Sequence, residues 1–126
     1  MPVESIGGVF FRARDPDVLA RWYAETLGVG PGLGPLASGA DAPFWTPSAG
    51  PVLFQPFPEA SDYFAADRRY MLNFRVSGIE ALIASLRAAG LAVETRAEWD
   101  APGYGRFARL HDPEGNPIEL WEPPAG

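Results

Sequence analysis

Short runs of hydrophobic residues, alternating or recurring at helical spacing, divide the chain into strands and helices. In the first half they predict a strand at Ile6–Arg14, a helix at 16–27 and a strand at Pro51–Phe57. Two short strands are also predicted between the helix and the last strand, near Leu36 and at Phe44–Thr46. The helix begins after Asp15, a typical N-cap residue that proline follows, and ends at Gly28. The strand at 51–57 should lie at a sheet edge, because Pro56 has no N–H group to donate.

The second half repeats this order after residues 58–69, which lack a hydrophobic pattern and are predicted to be a linker. Its predicted elements are Tyr70–Val76, Ile79–Ala89, Leu91–Thr95, Tyr104–His111 and Pro117–Glu122, with a turn at Asp112–Asn116 between the last two strands. Similar residues recur 63 positions apart: Phe11 and Phe74, Arg12 and Arg75, Leu19 and Leu82. Duplication of a β-α-β-β-β unit explains this repeat best.

Strand alternation sorts the residues of these strands onto two faces of a sheet, because successive side chains point to opposite sides. One face is apolar and is expected to pack beneath the helices: Val9, Phe11, Val52, Phe54, Leu72, Phe74, Val76, Ile118 and Leu120. The other face mixes apolar, amide and charged residues: Phe10, Arg12, Leu53, Gln55, Phe57, Met71, Asn73, Arg75, Glu119 and Trp121. A lining of this kind suits a pocket for a small organic molecule.

Composition and charge narrow the classes of function. The 126 residues, 47% of them hydrophobic, suffice for one compact domain, and the net charge of −6 opposes binding to nucleic acid or to an anionic membrane. All 10 basic residues are arginines and cysteine is absent, which excludes lysine Schiff-base chemistry, disulfides and thiolate ligands. Because no secretory signal or membrane span is recognisable, we expect a cytoplasmic protein.

Three stretches, in this order, resemble the superfamily of glyoxalases, bleomycin-resistance proteins and extradiol dioxygenases (vicinal oxygen chelate). They are GGVFFRARDPDVLARWYAETLGV at 7–29, NFRVSGIEALIASLRAAGLAV at 73–93 and HDPEGNPIELWEP at 111–123. The resemblance implies an α+β fold in which two paired βαβββ modules form a cupped mixed sheet, with helices outside and a small molecule in the cup. It implies one domain over 1–126, with module 1 at about 4–57, a linker at 58–69 and module 2 at about 70–123, and a homodimer.

Many members of this superfamily bind a metal ion through side chains of the first and last strands of each module. The resemblance places these positions at Gly8, Leu53, Met71 and Glu119. Only Glu119 can bind a hard or borderline cation, and one carboxylate is too few for a site that needs three or more ligands. We therefore predict neither metal nor other cofactor, unless a second subunit rebuilds the site. The single histidine, His111, lies elsewhere, beside the turn.

The candidate polar residues each have two interpretations. Glu119 is either a general base in a metal-free pocket or a carboxylate that neutralises Arg12 or Arg75, and we favour the second. The two arginines either bind an anionic ligand bidentately or pair with Glu119. His111 is expected to bond a backbone group rather than to shuttle protons. Aromatic residues on or beside loops either close over a ligand or form packing contacts: Trp45, Tyr63, Trp99 and Tyr104.

Two classes of function follow. The first is a protein that holds a small, partly apolar, anionic organic molecule without metal, as the resemblance to bleomycin-resistance proteins implies. The second is a lyase or isomerase of glyoxalase type that uses Glu119, with or without a divalent metal. The expected ligand contacts are Phe10, Arg12, Gln55, Phe57, Met71, Asn73, Arg75 and Trp121, with Glu119 as the candidate catalytic residue. The missing metal ligands favour the first class.

Overall fold

The structure is a computed structural model that describes residues 6–30, 45–100 and 102–125. These residues contain the elements α1 (Pro16–Leu27), β1 (Leu72–Arg75), α2 (Ile79–Ala88), a short 3-10 helix (Ala97–Trp99), β2 (Arg106–His111) and β3 (Pro117–Glu122). The architecture is α+β, as predicted. Within the described ranges, no helix has the length and apolarity needed to cross a membrane.

The three strands form one mixed sheet in which β3 is the middle strand, in the order β1-β3-β2. Ile118 of β3 lies opposite Leu72 in the parallel pair with β1 and opposite Leu110 in the antiparallel pair with β2. The parallel pair requires a crossover connection, and α2 lies in that connection. Glu94 adds a single antiparallel bridge to Arg109, on the outer side of β2.

Both helices begin where the sequence predicts, but different groups cap them. The Asp15 side chain accepts a hydrogen bond from the Val18 N–H group (3.2 Å), and Gly28 ends α1 in the left-handed conformation (φ 68°). No side chain at the start of α2 caps that helix. Instead Glu122, at the end of β3, accepts hydrogen bonds from the N–H groups of Gly78 and Ile79 (2.9 and 3.1 Å).

The hydrophobic core lies between the apolar face of the sheet and the two helices. Its buried residues are Leu19, Tyr23, Ile79, Ile83, Leu86, Val93, Ala108, Leu110, Ile118 and Leu120, with Leu72, Phe74 and Val76 packed against them. The alternation predicted for the second-half strands is therefore confirmed. Trp22 and Tyr23 also pack in this region, as their helical spacing predicts.

The turn between β2 and β3 joins the second-half sheet to α1 of the first half. The Tyr23 hydroxyl donates a buried hydrogen bond to Asp112 (2.7 Å), which also accepts from the backbone of the turn. Glu114 accepts hydrogen bonds from the backbone N–H groups of Arg14 and Asp15 (2.7 and 3.0 Å). These contacts fix the position of α1 against the sheet.

The strands predicted in the first half are not confirmed. Residues 6–14 and 51–57 form no strand, and Phe10 and Phe54 are 92% and 84% exposed. Isolated extended chain is unstable without a hydrogen-bonded neighbour, and the prolines at 51 and 56 remove two donors from the second segment. Paired βαβββ modules are thus not established. The short strand predicted near Leu36 lies outside the described residues, as does Phe44. Trp45 and Thr46, the rest of the strand predicted at Phe44–Thr46, form no strand.

Candidate ligand-binding site

Glu119 lies at the centre of the polar face of the sheet. It belongs to the middle strand, with Asn73 opposite on β1 and Arg109 opposite on β2. Directly paired residues of neighbouring strands point to the same side, so an amide, a carboxylate and a guanidinium form one row across the sheet. Glu119 is buried, with 6% of its surface exposed.

Both carboxylate oxygens of Glu119 accept hydrogen bonds from uncharged groups. The Asn73 Nδ2 atom donates to Oε1 at 2.8 Å, and the Tyr63 hydroxyl donates to Oε2. Burial, and then the hydrogen bond to Glu119, raise the pKa of Tyr63 well above its usual range, so the phenol remains a donor. Within the part of the chain that the structure describes, these partners replace the arginine pairing that the sequence suggested.

Arg109 is a buried cation with an incomplete set of partners. Its exposed fraction is 6%, and its Nη1 atom donates to the backbone carbonyl of Tyr63 at 3.0 Å. The guanidinium also lies over the rings of Tyr63 and Trp99, 4.8 and 5.3 Å from the ring centres. Its Nε and Nη2 atoms are buried without a hydrogen-bond partner among the described residues. Because a buried N–H donor without an acceptor is costly, these two atoms favour an additional acceptor.

A cavity of about 200 Å³ lies beside Arg109. Its walls carry two arginines, two acids and two aromatic rings: Asp62, Tyr63, Glu94, Arg96, Trp99 and Arg109. Arg96 is already paired with Glu94, with 2.7 Å between Nε and Oε2. A wider groove of about 420 Å³ shares Glu94 and Arg109 and extends to His111. The cavity therefore combines opposite charges with two aromatic side chains, and most of its exposed lining is polar.

The loop that carries Trp99 is tied to the polar face of the sheet. The Trp121 Nε1 atom donates to the carbonyl of Tyr104 at 2.7 Å, and Asp100 accepts a hydrogen bond from the Phe107 N–H group (3.1 Å). The rings of Phe107 and Trp121 stack with their centres 6.3 Å apart. These contacts hold the short 3-10 helix, and with it Trp99, next to Arg109.

The Glyoxalase-like domain family matches residues 8–121 of the chain. The chain belongs to this family. Three sequence stretches resemble the glyoxalase and bleomycin-resistance superfamily, and membership of this family confirms that resemblance. Among solved structures, TnmS3, an antibiotic-binding protein from Streptomyces sp. CB03234, is similar in fold, with a TM-score of 0.61. The similarity covers 98% of this chain and 99% of that chain at 24% identity. No curated protein has a matching sequence.

The side chains of this glyoxalase-like protein do not fit the metal site of its superfamily. Gly8 and Leu53 have no donor atom at the corresponding positions, and Met71 offers only a thioether. Glu119 supplies only one carboxylate, whose oxygens accept hydrogen bonds from Tyr63 and Asn73. Across residues 6–30, 45–100 and 102–125, no three His, Cys, Asp or Glu side chains converge on one point.

Several residues that the sequence assigns to ligand binding in the glyoxalase-like protein lie around Glu119. Asn73 bonds its carboxylate, and Trp121 is buried on the same strand. The Phe57 ring packs against Tyr63 with 5.4 Å between ring centres, and Met71 is half-buried next to β1. The polar face of the second half therefore forms as the alternation predicts.

The other residues predicted to bind the ligand lie away from the row of Asn73, Glu119 and Arg109, or contact other groups. Arg75 donates from Nη2 to the carbonyl of Ser48 (2.6 Å) and from Nη1 to that of Pro51 (2.7 Å). The side chains of Phe10, Arg12 and Gln55 are exposed. They belong to segments that form no strand, so no sheet orients them. His111 is exposed at the end of β2.

Sequence reasoning missed Arg109 and placed Tyr63 only beside a loop. A signal for Arg109 was present, since a hairpin closed by Asp112–Asn116 sets a register in which Arg109 can face Glu119. Tyr63 gave no such signal, because it lies in the segment predicted to be a linker. Its contacts with Glu119 and Arg109 come from tertiary packing.

Proposed function

We propose that this glyoxalase-like protein binds a small, partly apolar, anionic organic molecule on the Glu119 face of its sheet, without a metal ion. The observation that carries this proposal is Arg109, a buried cation with two unpartnered nitrogen atoms, among the described residues, beside a cavity with aromatic walls. A ligand anion would supply the missing partner through charge-assisted hydrogen bonds. TnmS3, which has a similar fold, is an antibiotic-binding protein, and this supports binding as the function.

The proposed ligand contacts join the cavity at Arg109 to the residues assigned from the sequence. Apolar parts of the ligand would pack on one set of side chains: Phe10, Phe57, Met71 and Trp121. Polar parts would meet Arg12, Gln55, Asn73 and Arg75. Such a division between apolar walls and a few placed polar groups is typical of small-molecule sites.

We also propose that the two halves of the chain form paired βαβββ modules in one domain, and that the protein is a homodimer. The 63-residue repeat of Phe11, Arg12 and Leu19 supports the first proposal. Large hydrophobic side chains of the first-half segments are more than half exposed, namely Val9, Phe10, Val52 and Phe54, which supports the second. A partner subunit would cover such a surface.

The enzymatic alternative, a glyoxalase-type lyase or isomerase acting through Glu119, has less support. A general base needs an oxygen lone pair within reach of the substrate proton, and only 6% of the Glu119 surface is exposed. Both oxygens of Glu119 accept hydrogen bonds from Tyr63 and Asn73. The carboxylate is therefore better placed to position Tyr63 than to abstract a proton.

Metal analysis tests the metal-free part of the proposal. Protein purified without added metal is expected to carry far less than one equivalent of zinc, nickel, manganese or iron. Its thermal unfolding midpoint should not change when a chelator is added, because a bound metal would stabilise the native state by mass action. Near-equimolar metal together with chelator sensitivity would contradict the proposal and favour the enzyme.

A binding screen tests the other part. The panel contains aromatic and aliphatic carboxylates, phosphate esters and their uncharged analogues, and calorimetry detects binding. Anions with an apolar portion should bind saturably, whereas the uncharged analogues should bind at least about tenfold more weakly. Equal binding of charged and uncharged members would contradict an anion site.

A further inference from the structure

We propose that Arg109, Tyr63 and Trp99 form a subsite for a planar carboxylate attached to an aromatic ring. The inference rests on the proposed function and names the chemical class of its ligand. It depends on three features of the described residues. These are the position of the two unpartnered nitrogen atoms on one edge of the guanidinium, the hydrogen-bond and salt-bridge partners of nearby acids, and the size and lining of the cavity.

The unpartnered atoms of Arg109 are the two that match a carboxylate. Nη1 is occupied by the carbonyl of Tyr63, whereas Nε and Nη2 have no partner among the described residues. The Nε–H bond and one Nη2–H bond lie on the same edge of the planar guanidinium and point in nearly the same direction. Two oxygens of one carboxylate can therefore accept both bonds in a single plane, the paired geometry that arginine and carboxylates prefer.

Two acids near Arg109, Glu119 and Glu94, have other partners. Glu119 lies directly opposite Arg109 in the sheet, yet its oxygens accept from Asn73 and Tyr63. Glu94 pairs with Arg96 at 2.7 Å. Glu119 thus helps to hold Tyr63 in place, and among the described residues no carboxylate pairs with the Nε–Nη2 edge of Arg109.

The surroundings of Arg109 favour a ligand with one aromatic ring and a single negative charge. The rings of Tyr63 and Trp99 line the cavity with their centres 5.8 Å apart. Arg109 lies over both rings and Arg96 over that of Trp99, so a ligand ring would meet the remaining aromatic surface. The cavity of about 200 Å³ is smaller than the ~300–1,000 Å³ that enclose a whole drug-sized ligand, so it can hold an acid group and one ring. Asp62 and Glu94 also line it, and they repel a doubly charged phosphate more than a carboxylate.

Calorimetric titrations of the wild-type protein with benzoate, benzamide and phenyl phosphate test the inference first. Benzoate is expected to bind at least about tenfold more tightly than benzamide, which lacks the charge, and more tightly than phenyl phosphate, which is tetrahedral and more highly charged. This comparison needs no substitution, so it does not depend on the folding of a variant.

The substitution Arg109→Lys keeps the charge and removes the paired donors. It is expected to weaken benzoate binding by about ten- to a hundredfold. Arg21→Lys is the matched control, because Arg21 is exposed on α1, and it should leave the affinity unchanged. Circular dichroism and urea unfolding establish that each variant is folded.

The outcomes separate this inference from the proposed function. If phenyl phosphate or another anion of the panel binds and benzoate does not, the carboxylate subsite is wrong and anion binding stands. Wild-type affinity for benzoate in folded Arg109→Lys would also overturn the subsite alone. If no anion of the panel binds, both proposals fail.

Discussion

Arg75 and Arg109 lie on the same face of the sheet but meet different partners. The Arg75 guanidinium donates to two backbone carbonyls of residues 48–51, whereas two Arg109 nitrogen atoms have no partner among the described residues. Alternation along a strand predicts on which face of the sheet each side chain lies, but not which groups from other segments contact it. The sequence therefore singles out Arg75, through its match with Arg12, whereas only the register of the last hairpin points to Arg109.

Replacement of Arg75 should affect both stability and binding. Arg75→Ala removes two charge-assisted hydrogen bonds to the first-half segment, and we expect a loss of about 1.5–3 kcal/mol in the free energy of unfolding. The affinity for the anion that binds most tightly in the binding screen should fall as well, since Arg75 is a proposed ligand contact. Arg75→Lys should recover only part of either loss, because a point charge cannot reproduce a planar group. Urea unfolding and calorimetry measure the two effects, and unchanged affinity in Arg75→Ala would make the role structural only.

The tyrosine pairs should make the protein sensitive to alkali. Burial, and then the hydrogen bonds to Asp112 and Glu119, raise the pKa of Tyr23 and Tyr63 above the ordinary value of 10.0. Above about pH 10 the unfolded chain loses these protons while the folded chain keeps them. The free energy of unfolding should therefore fall as pH rises, by about 1.4 kcal/mol per pH unit for each tyrosine.

Urea unfolding between pH 8.5 and 11 checks this dependence. Tyr23→Phe and Tyr63→Phe should each remove one tyrosine's share of the slope, and both should also lower stability at neutral pH, because each removes one hydrogen-bond donor from a buried carboxylate. Tyr70→Phe is the control, since Tyr70 is largely exposed and takes part in neither pair. Equal slopes in all three variants and the wild type would contradict the assignment.

At the level of elements, the helices were more predictable than the strands. The bounds of α1 depend on local signals, such as Asp15, Pro16 and Gly28, and the predicted 16–27 agrees with the observed helix. A strand depends on a neighbour that is distant in sequence. The first-half segments have suitable residues and form no ladder, whereas β1 and β3 have the same kind of pattern and pair.

The cap of α2 illustrates the same limit, because it comes from β3. The N–H groups of Gly78, and then of Ile79, donate to the Glu122 carboxylate and lower its pKa from the ordinary 4.5. A carboxylate with a lowered folded pKa stabilises the protein above its unfolded pKa, and the stabilisation disappears as pH falls through the folded pKa.

Glu122→Gln should therefore lower the urea midpoint at pH 7, and the difference from wild type should shrink at pH 3. Glu25→Gln is the matched control, because Glu25 is exposed on α1. Its urea midpoint should equal that of the wild type at pH 7. A Glu122→Gln effect that is the same at both pH values would mean that the carboxylate charge does not stabilise the start of α2.

At the level of the whole molecule, the proposed dimer gives a direct prediction. The wild-type chain is expected to elute as a dimer in size-exclusion chromatography with light scattering. Phe54→Asp should shift it toward the monomer, because Phe54 is 84% exposed in a segment proposed to be covered. Val18→Asp, on the exposed surface of α1, serves as the control and should remain dimeric. A monomeric wild type at all concentrations would contradict the proposal.

The order of the elements along the chain has a consequence for synthesis on the ribosome. The middle strand of the sheet, β3, is the last of the described elements, and both β1 and β2 pair with it. Chains grow at about 5–20 residues per second, so β1 waits for its partner until more than forty further residues have been made. During that interval α1 also lacks Asp112 and Glu114, which later hold it. The nascent chain therefore exposes its apolar segments until β3 leaves the ribosome. We expect chaperones to bind the chain at this stage.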